Sequence, residues 1–188
     1  MNTRNNFIDN FFHQYFSTIT TKIAQIDVLS LQKAVEIILT ANEIGKKIIF
    51  IGNGGSAAMA SHCSVDFTKA ANIRSINFNE ADLLTCFAND YGYENWVARA
   101  LEAYADQGDV VVLISSSGRS PNIINGAAQA RKMSLPIITL SGFTPDNPLR
   151  NLGDVNFWCD SEAYNVVEMT HHVWLLSIVD YIIHCKSI

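Results

Sequence analysis

The chain predicts an α/β fold, a parallel sheet of about five strands covered by helices on both faces and preceded by extra N-terminal helices. Three observations carry this. Short β-branched runs alternate with helical stretches over residues 46–188. The two strongest runs, Lys47-Ile48-Ile49-Phe50-Ile51 and Val110-Val111-Val112-Leu113-Ile114, are apolar at every position after their first residue or throughout, as strands buried on both faces require. Each of these two runs ends in a loop of small residues and is followed by a helix.

Taken in order, residues 7–26 read as an amphipathic helix with an apolar stripe of Phe11, Phe12, Tyr15 and Ile19. A second helix spans about 29–44, with Leu31, Ala34, Ile37, Ile38 and Ala41 on one face and Gly45 as its C-cap. The first strand, 47–51, leads into Gly52-Asn53-Gly54-Gly55-Ser56 and a helix over 57–69. A weaker strand covers 75–78 and a helix 80–87. Asn89-Asp90-Tyr91-Gly92 reads as a turn, and 94–105 as helical again. The second core strand, 109–114, ends in Ser115-Ser116-Ser117-Gly118-Arg119-Ser120. Pro121 then opens a helix to about residue 132, where its missing N–H does no harm. Strands at 135–140 and 155–159 and a long helix over 166–185 complete the chain. No internal repeat or linker divides it, so 1–188 is expected to be one domain, with helices over 1–45 and an α/β core over 46–188.

Composition narrows the function. Hydrophobic residues make up 48% and charged residues 16%, which is a globular balance. The formal net charge is −5 with no dense Lys/Arg cluster, which argues against nucleic acid. The four cysteines form no C-x-x-C pair, so a zinc finger is not expected. The first ten residues are polar and mixed in charge, and the apolar runs read as too short to span a bilayer. A cytoplasmic protein without a membrane partner is expected.

The two loops fit a phosphate ligand. In open parallel sheets, ligands bind beyond the carboxyl ends of the strands. Glycines over 52–55 let the backbone approach a ligand, and the following helix adds its positive end. Ser115, Ser116, Ser117 and Ser120 supply hydroxyl and N–H donors at a second helix start. Gly and Ser also make tight turns for structural reasons alone, but two such loops after two core strands favour a phosphate cradle. Gly52, Gly54 and Ala57 also fit the dinucleotide pattern G-x-G-x-x-A. That reading needs an acidic residue at the end of the second strand, where Glu80 is marginal, and it leaves the serine loop unused.

The blocks Gly52-Asn53-Gly54-Gly55-Ser56, Ala88-Asn89-Asp90-Tyr91-Gly92, Gly108-Asp109-Val110 and Ile114-Ser115-Ser116-Ser117-Gly118-Arg119-Ser120 resemble the SIS (sugar isomerase) family, and within it the phosphoheptose isomerases. The resemblance implies a flavodoxin-like three-layer sandwich. It implies that Ser56, Ser115, Ser117 and Ser120 bind phosphate, with Ser116, Gly54 and Gly55 assisting, and that Asn53 and Asp90 face the sugar. It also implies a homotetramer with sites between subunits and interconversion of sedoheptulose 7-phosphate and D-glycero-D-manno-heptose 7-phosphate through an enediol, in heptose synthesis for surface polysaccharide.

The family's proton-transfer residues are only partly matched. Its His-x-x-x-Glu reads His62-x-x-x-Asp66 here, on one helix face but one methylene shorter. Glu168 stands at the family's Gln/Glu position in the last helix. The second catalytic His falls on Leu176, with His172 one turn earlier as a substitute and His171 as its neighbour. Lys69 stands near the position of a family Arg. The resemblance thus implies Asp66 as base, with His62 and His172 as proton carriers, and His62, Asp66, Glu168 and His172 as a possible zinc site. As the alternative, it admits a non-catalytic phosphosugar sensor or assembly partner, as in family members that contact a replication initiator.

Overall fold

The computed structural model describes residues 2–186, with side chains from residue 8 onward. Residues 1, 187 and 188 of the expected domain lie outside that range. Five strands form one parallel sheet: β1 (Ile48–Gly52), β2 (Ser75–Asn77), β3 (Val110–Ser115), β4 (Ile137–Ser141) and β5 (Val155–Trp158). Their spatial order is β2-β1-β3-β4-β5. β1 and β3 are neighbours, and the order reverses between them, which is where such sheets open a crevice at their carboxyl ends.

The pleat sorts the core into two layers. Ile48, Phe50, Val110, Val112 and Ile114 point to one face, under the helices α2 (Val28–Glu43), α3 (Gly55–Lys69) and α7 (Tyr164–Lys186). Ile49, Ile51, Val111 and Leu113 point to the other, under α5 (Trp96–Tyr104) and α6 (Pro121–Lys132), with α4 (Ala81–Tyr91) beside α5. Every residue of β1, β3 and β4 is buried, as their largely apolar character requires, and the buried polar exceptions are Ser115, Thr139 and Ser141. The helix after β1 and the helix after β3 therefore lie on opposite faces. Their N-termini flank the same crevice.

Charged groups close the opposite end of the sheet. Asp109 is fully buried and pairs with Lys47 Nζ at 2.6 Å, while also accepting the backbone N–H groups of Lys47 and Asp106. Burial disfavours the Lys47 charge, but the hydrogen bonds that the ammonium donates to Asp106 and Asp109 outweigh it and hold its pKa above the usual value.

Three expectations change. Asn89-Asp90-Tyr91 is not a turn: it is the last turn of α4, and Gly92 at φ +83° ends the helix. The apolar stripe of α1 (Asn2–Ala24) is only partly covered. Tyr15 and Ile19 are half-buried, but Phe11, Phe12 and Phe16 are exposed. Trp174 Nε1 on α7 donates to the Ile23 carbonyl at 2.9 Å and ties the end of α1 to the body. α7 is long and apolar enough to cross a membrane by length and composition, contrary to the reading of the apolar runs, but half of that stretch is buried within the protein. It is the central helix of one face, with Val167, Trp174, Leu175 and Ile178 in the core.

Candidate active site

The crevice at the ends of β1 and β3 holds a cavity of about 280 Å³, lined by Asn53, Gly54, Gly55 and Ser56 from the first loop and by Ser115, Ser116, Ser117 and Ser120 from the second. Tyr164 and Glu168 of α7 form the remaining wall. Each loop is shaped by the requirements of its turn. Gly52 lies so close to the start of α3 that a Cβ there would stand 2.6 Å from the Ser56 backbone carbon. Gly54 caps α3 at φ +54°, in the left-handed region that glycine favours. In the second loop Gly118 sits at φ +62° and its N–H closes a turn onto the Ser115 carbonyl at 2.9 Å. Ser120 and Pro121 then start α6.

The donors in this cavity are mostly unspent. Ser56, Ser115 and Ser116 are buried. Ser115 and Ser120 share one hydroxyl contact at 3.2 Å. The buried Ser116 Oγ has no hydrogen-bond partner, an expensive state unless a ligand or water takes it up. With two helix N-termini directed at the same space, the site favours a compact anion. One wall opposes it: the Glu168 carboxylate lies against Gly55, so that a Cβ at Gly55 would collide with it. Burial raises the Glu168 pKa.

One turn further along α7 lies a second cluster. His172 Nε2 meets His62 Nδ1 at 2.8 Å, with the rings edge to face. His62 Nε2 meets Asp66 Oδ2 at 3.2 Å. The three groups form a chain, Asp66–His62–His172, across α3 and α7. Burial, with the adjacent His62 second, lowers the His172 pKa. His171 points the other way. It is fully buried, its Nε2–H donates to the Ser141 carbonyl at 2.9 Å, and burial pushes its pKa down to about 4.

Residues 11–142 match the SIS domain family model. The chain belongs to the SIS-domain family. Among its relatives, the phosphoheptose isomerase of Helicobacter hepaticus is 34% identical over 164 residues, covering 84% of this chain and 82% of that protein. That of Fusobacterium nucleatum is 33% identical over 141 residues, covering 72% of each. The solved phosphoheptose isomerase GmhA from Neisseria gonorrhoeae superposes with a TM-score of 0.84 at 25% identity, covering 96% of this chain and 99% of that one.

Within this SIS domain, the sequence-derived phosphate residues Asn53, Gly54, Gly55, Ser56, Ser115, Ser116, Ser117 and Ser120 all line the one cavity. The residues expected to transfer protons or hold metal divide. Glu168 lines the cavity, but His62, Asp66 and His172 stand outside its wall. Asp90 is not at the cavity either. It lies exposed in the last turn of α4, where its Oδ1 accepts from Asn89 Nδ2 at 2.9 Å. Leu176 packs against the core.

The expected zinc donors do not converge. Among the described residues, no three His, Cys, Asp or Glu groups surround a common point. His62 offers opposite ring nitrogens to Asp66 and His172, so the three cannot share one ion in this arrangement, and tetrahedral zinc needs four donors at about 2.0–2.3 Å.

Sequence reasoning missed three residues. Tyr164 walls the cavity and packs edge to face on Phe143. Asn122 and Tyr93 both bond the Asn53 side chain. The only signal for Asn122 was its place in the first turn after the serine loop. Tyr93 lies 40 residues from its partner and gave none.

Proposed function

We propose that this SIS-domain protein is a cytoplasmic aldose–ketose isomerase that interconverts sedoheptulose 7-phosphate and D-glycero-D-manno-heptose 7-phosphate, in heptose synthesis for lipopolysaccharide or capsule. The observation that carries the reading is the serine-lined cavity at the switch point, with the unpartnered Ser116 hydroxyl inside it. The family membership and the phosphoheptose isomerase relatives support it. The phosphate would take donors from Ser56, Ser115, Ser116, Ser117 and Ser120. The sugar chain would then run past Glu168 toward the histidine cluster.

The reaction moves one proton between C1 and C2 and a second between their oxygens, through an enediol. Asp66 would act through His62 rather than directly, because its carboxylate meets the His62 ring and lies outside the cavity wall. His172, joined to His62 and one turn from Glu168, would take the role that Leu176 cannot fill. No step here requires a metal. The exposed Phe11, Phe12 and Phe16 of α1 support a homotetramer, in which a partner subunit would complete the site.

A second reading is favoured by one observation: Leu176, packed on the core, leaves no proton carrier at that turn of α7. The protein would then bind a phosphosugar as a regulatory or assembly partner. Turnover separates the two. The protein is incubated with sedoheptulose 7-phosphate, with and without zinc, and aldose formation is followed. Aldose production supports the isomerase. Clear binding without turnover rejects it for this substrate and leaves the binding protein.

A further inference from the structure

The Asn53 side chain is held on three sides. Its Nδ2 donates to Asn122 Oδ1 at 3.0 Å, and its Oδ1 accepts from Asn122 Nδ2 at 2.9 Å, so the two amides pair reciprocally. The Tyr93 hydroxyl donates to the same Oδ1 at 3.0 Å. An amide oxygen has two lone pairs and an amide nitrogen two hydrogens. Both acceptor positions of Asn53 are therefore filled, and one N–H remains. Asn122 is 1% exposed, too buried to trade its partner for water. Asn53 itself lines the serine cavity, whereas Asn122 and Tyr93 do not. The three residues come from separate elements: the turn after β1, the loop after α4 and the first turn of α6.

We infer that Asn122 and Tyr93 are positioning residues that lock Asn53 as a pure hydrogen-bond donor toward the bound ligand. The inference rests on the phosphosugar reading and deepens it. The atom that Asn53 meets must be an acceptor: a phosphate oxygen, or a sugar oxygen such as the carbonyl that gains negative charge as the enediol forms. A donor fixed before the substrate arrives has no reorganisation to undergo during the reaction, and such fixed donors stabilise developing charge most effectively. A freely rotating amide would present its oxygen half of the time and repel the same atom.

A double-mutant cycle tests this, with Asn53→Ala, Asn122→Leu and Tyr93→Phe made singly and in pairs, and sedoheptulose 7-phosphate as probe. Affinity is read by calorimetry and kcat/KM by turnover. Asn122→Leu is expected to lower affinity or kcat/KM about tenfold in the parent and to have no further effect once Asn53 is Ala. Tyr93→Phe, at an exposed site and with the ring kept, is expected to cost about threefold and to vanish in the same way. Asn53→Asp, which keeps the shape but removes the N–H, is expected to lose more than Asn53→Ala. Additive effects in a parent that binds the probe overturn the positioning role alone, as does an Asn53→Asp variant that binds as well as the parent. A parent that binds no sedoheptulose 7-phosphate overturns the phosphosugar reading and this inference with it. If Asn122→Leu does not fold, the Tyr93→Phe and Asn53→Ala cycle decides.

Discussion

The serine cavity and the histidine cluster are adjacent along α7, yet they are built in opposite ways. The cavity is made by backbone. Two turns leave neighbouring strands whose pairing is fixed over five residues, Gly52 opposite Ile114 at its end. Two glycines at positive φ shape those turns, and the donors are hydroxyls and helix N-termini with little freedom. The cluster is made by side chains on two helices, His62 and His172 standing 110 residues apart. It depends on the packing of α3 against α7, and it reaches the surface, with the side chain of its central member, His62, 48% exposed. A binding site set by sheet register resists local change. A cluster set by side chains can change one residue at a time, and under the isomerase reading Asp66 and Leu176 would be two such places.

The strongest attempt to break this contrast is Gly52→Ala. The new Cβ would meet the Ser56 backbone, so the whole turn must shift. Sugar-phosphate affinity is expected to fall about 100-fold or more, measured by calorimetry, since a misplacement of about 1 Å has that effect. A variant that binds normally would show that the backbone does not set the cradle.

On the other side, Asp66→Asn and His62→Ala are expected to lower kcat about 10²-fold or more while leaving sugar-phosphate affinity within about threefold. Steady-state kinetics beside calorimetry checks the split. A matching loss of affinity would mean that the cluster belongs to the binding site.

The paired histidines offer a finer test, because one faces the core and the other the cluster. His171 titrates near 6.5 when unfolded and at about 4 in the folded protein. Between those values the unfolded chain binds a proton that the folded chain refuses. Stability should therefore be undiminished above pH 6.5 and fall as pH drops toward 4, by on the order of 3 kcal/mol. Urea titrations over this range should show a flatter dependence in His171→Gln.

The smallest expected effect is that of zinc. With no three donors converging among the described residues, adding zinc or a chelator should change turnover by less than about twofold. A larger, saturable activation would mean that Glu168 and His172 reorganise around an ion, and the two regions would then be one.

The cradle was legible in the sequence because its determinants are local. An apolar run rich in β-branched residues announces a buried parallel strand, and a glycine cluster, or a serine cluster followed by Pro121, announces a turn into a helix. The same local logic misread residues 89–92. Asn, Asp and Gly favour turns, but Ala88 and Tyr91 continue α4 until Gly92 ends it. The His62–Asp66 pair was also local, four residues apart on one helix. Which way the His62 ring points was not, and the contact with His172 appears only when α3 packs on α7.

By itself, then, the sequence determined the order of strands and helices, the shape of the two turns and the chemistry of their donors. Each follows from backbone preferences acting over a few neighbouring residues. Only the tertiary structure decided that β1 and β3 lie side by side, that Asn122 and Tyr93 close on Asn53, and that Asp66 faces His62 rather than the cavity. Those facts depend on how buried surfaces fit across long stretches of chain, and no local pattern encodes that fit.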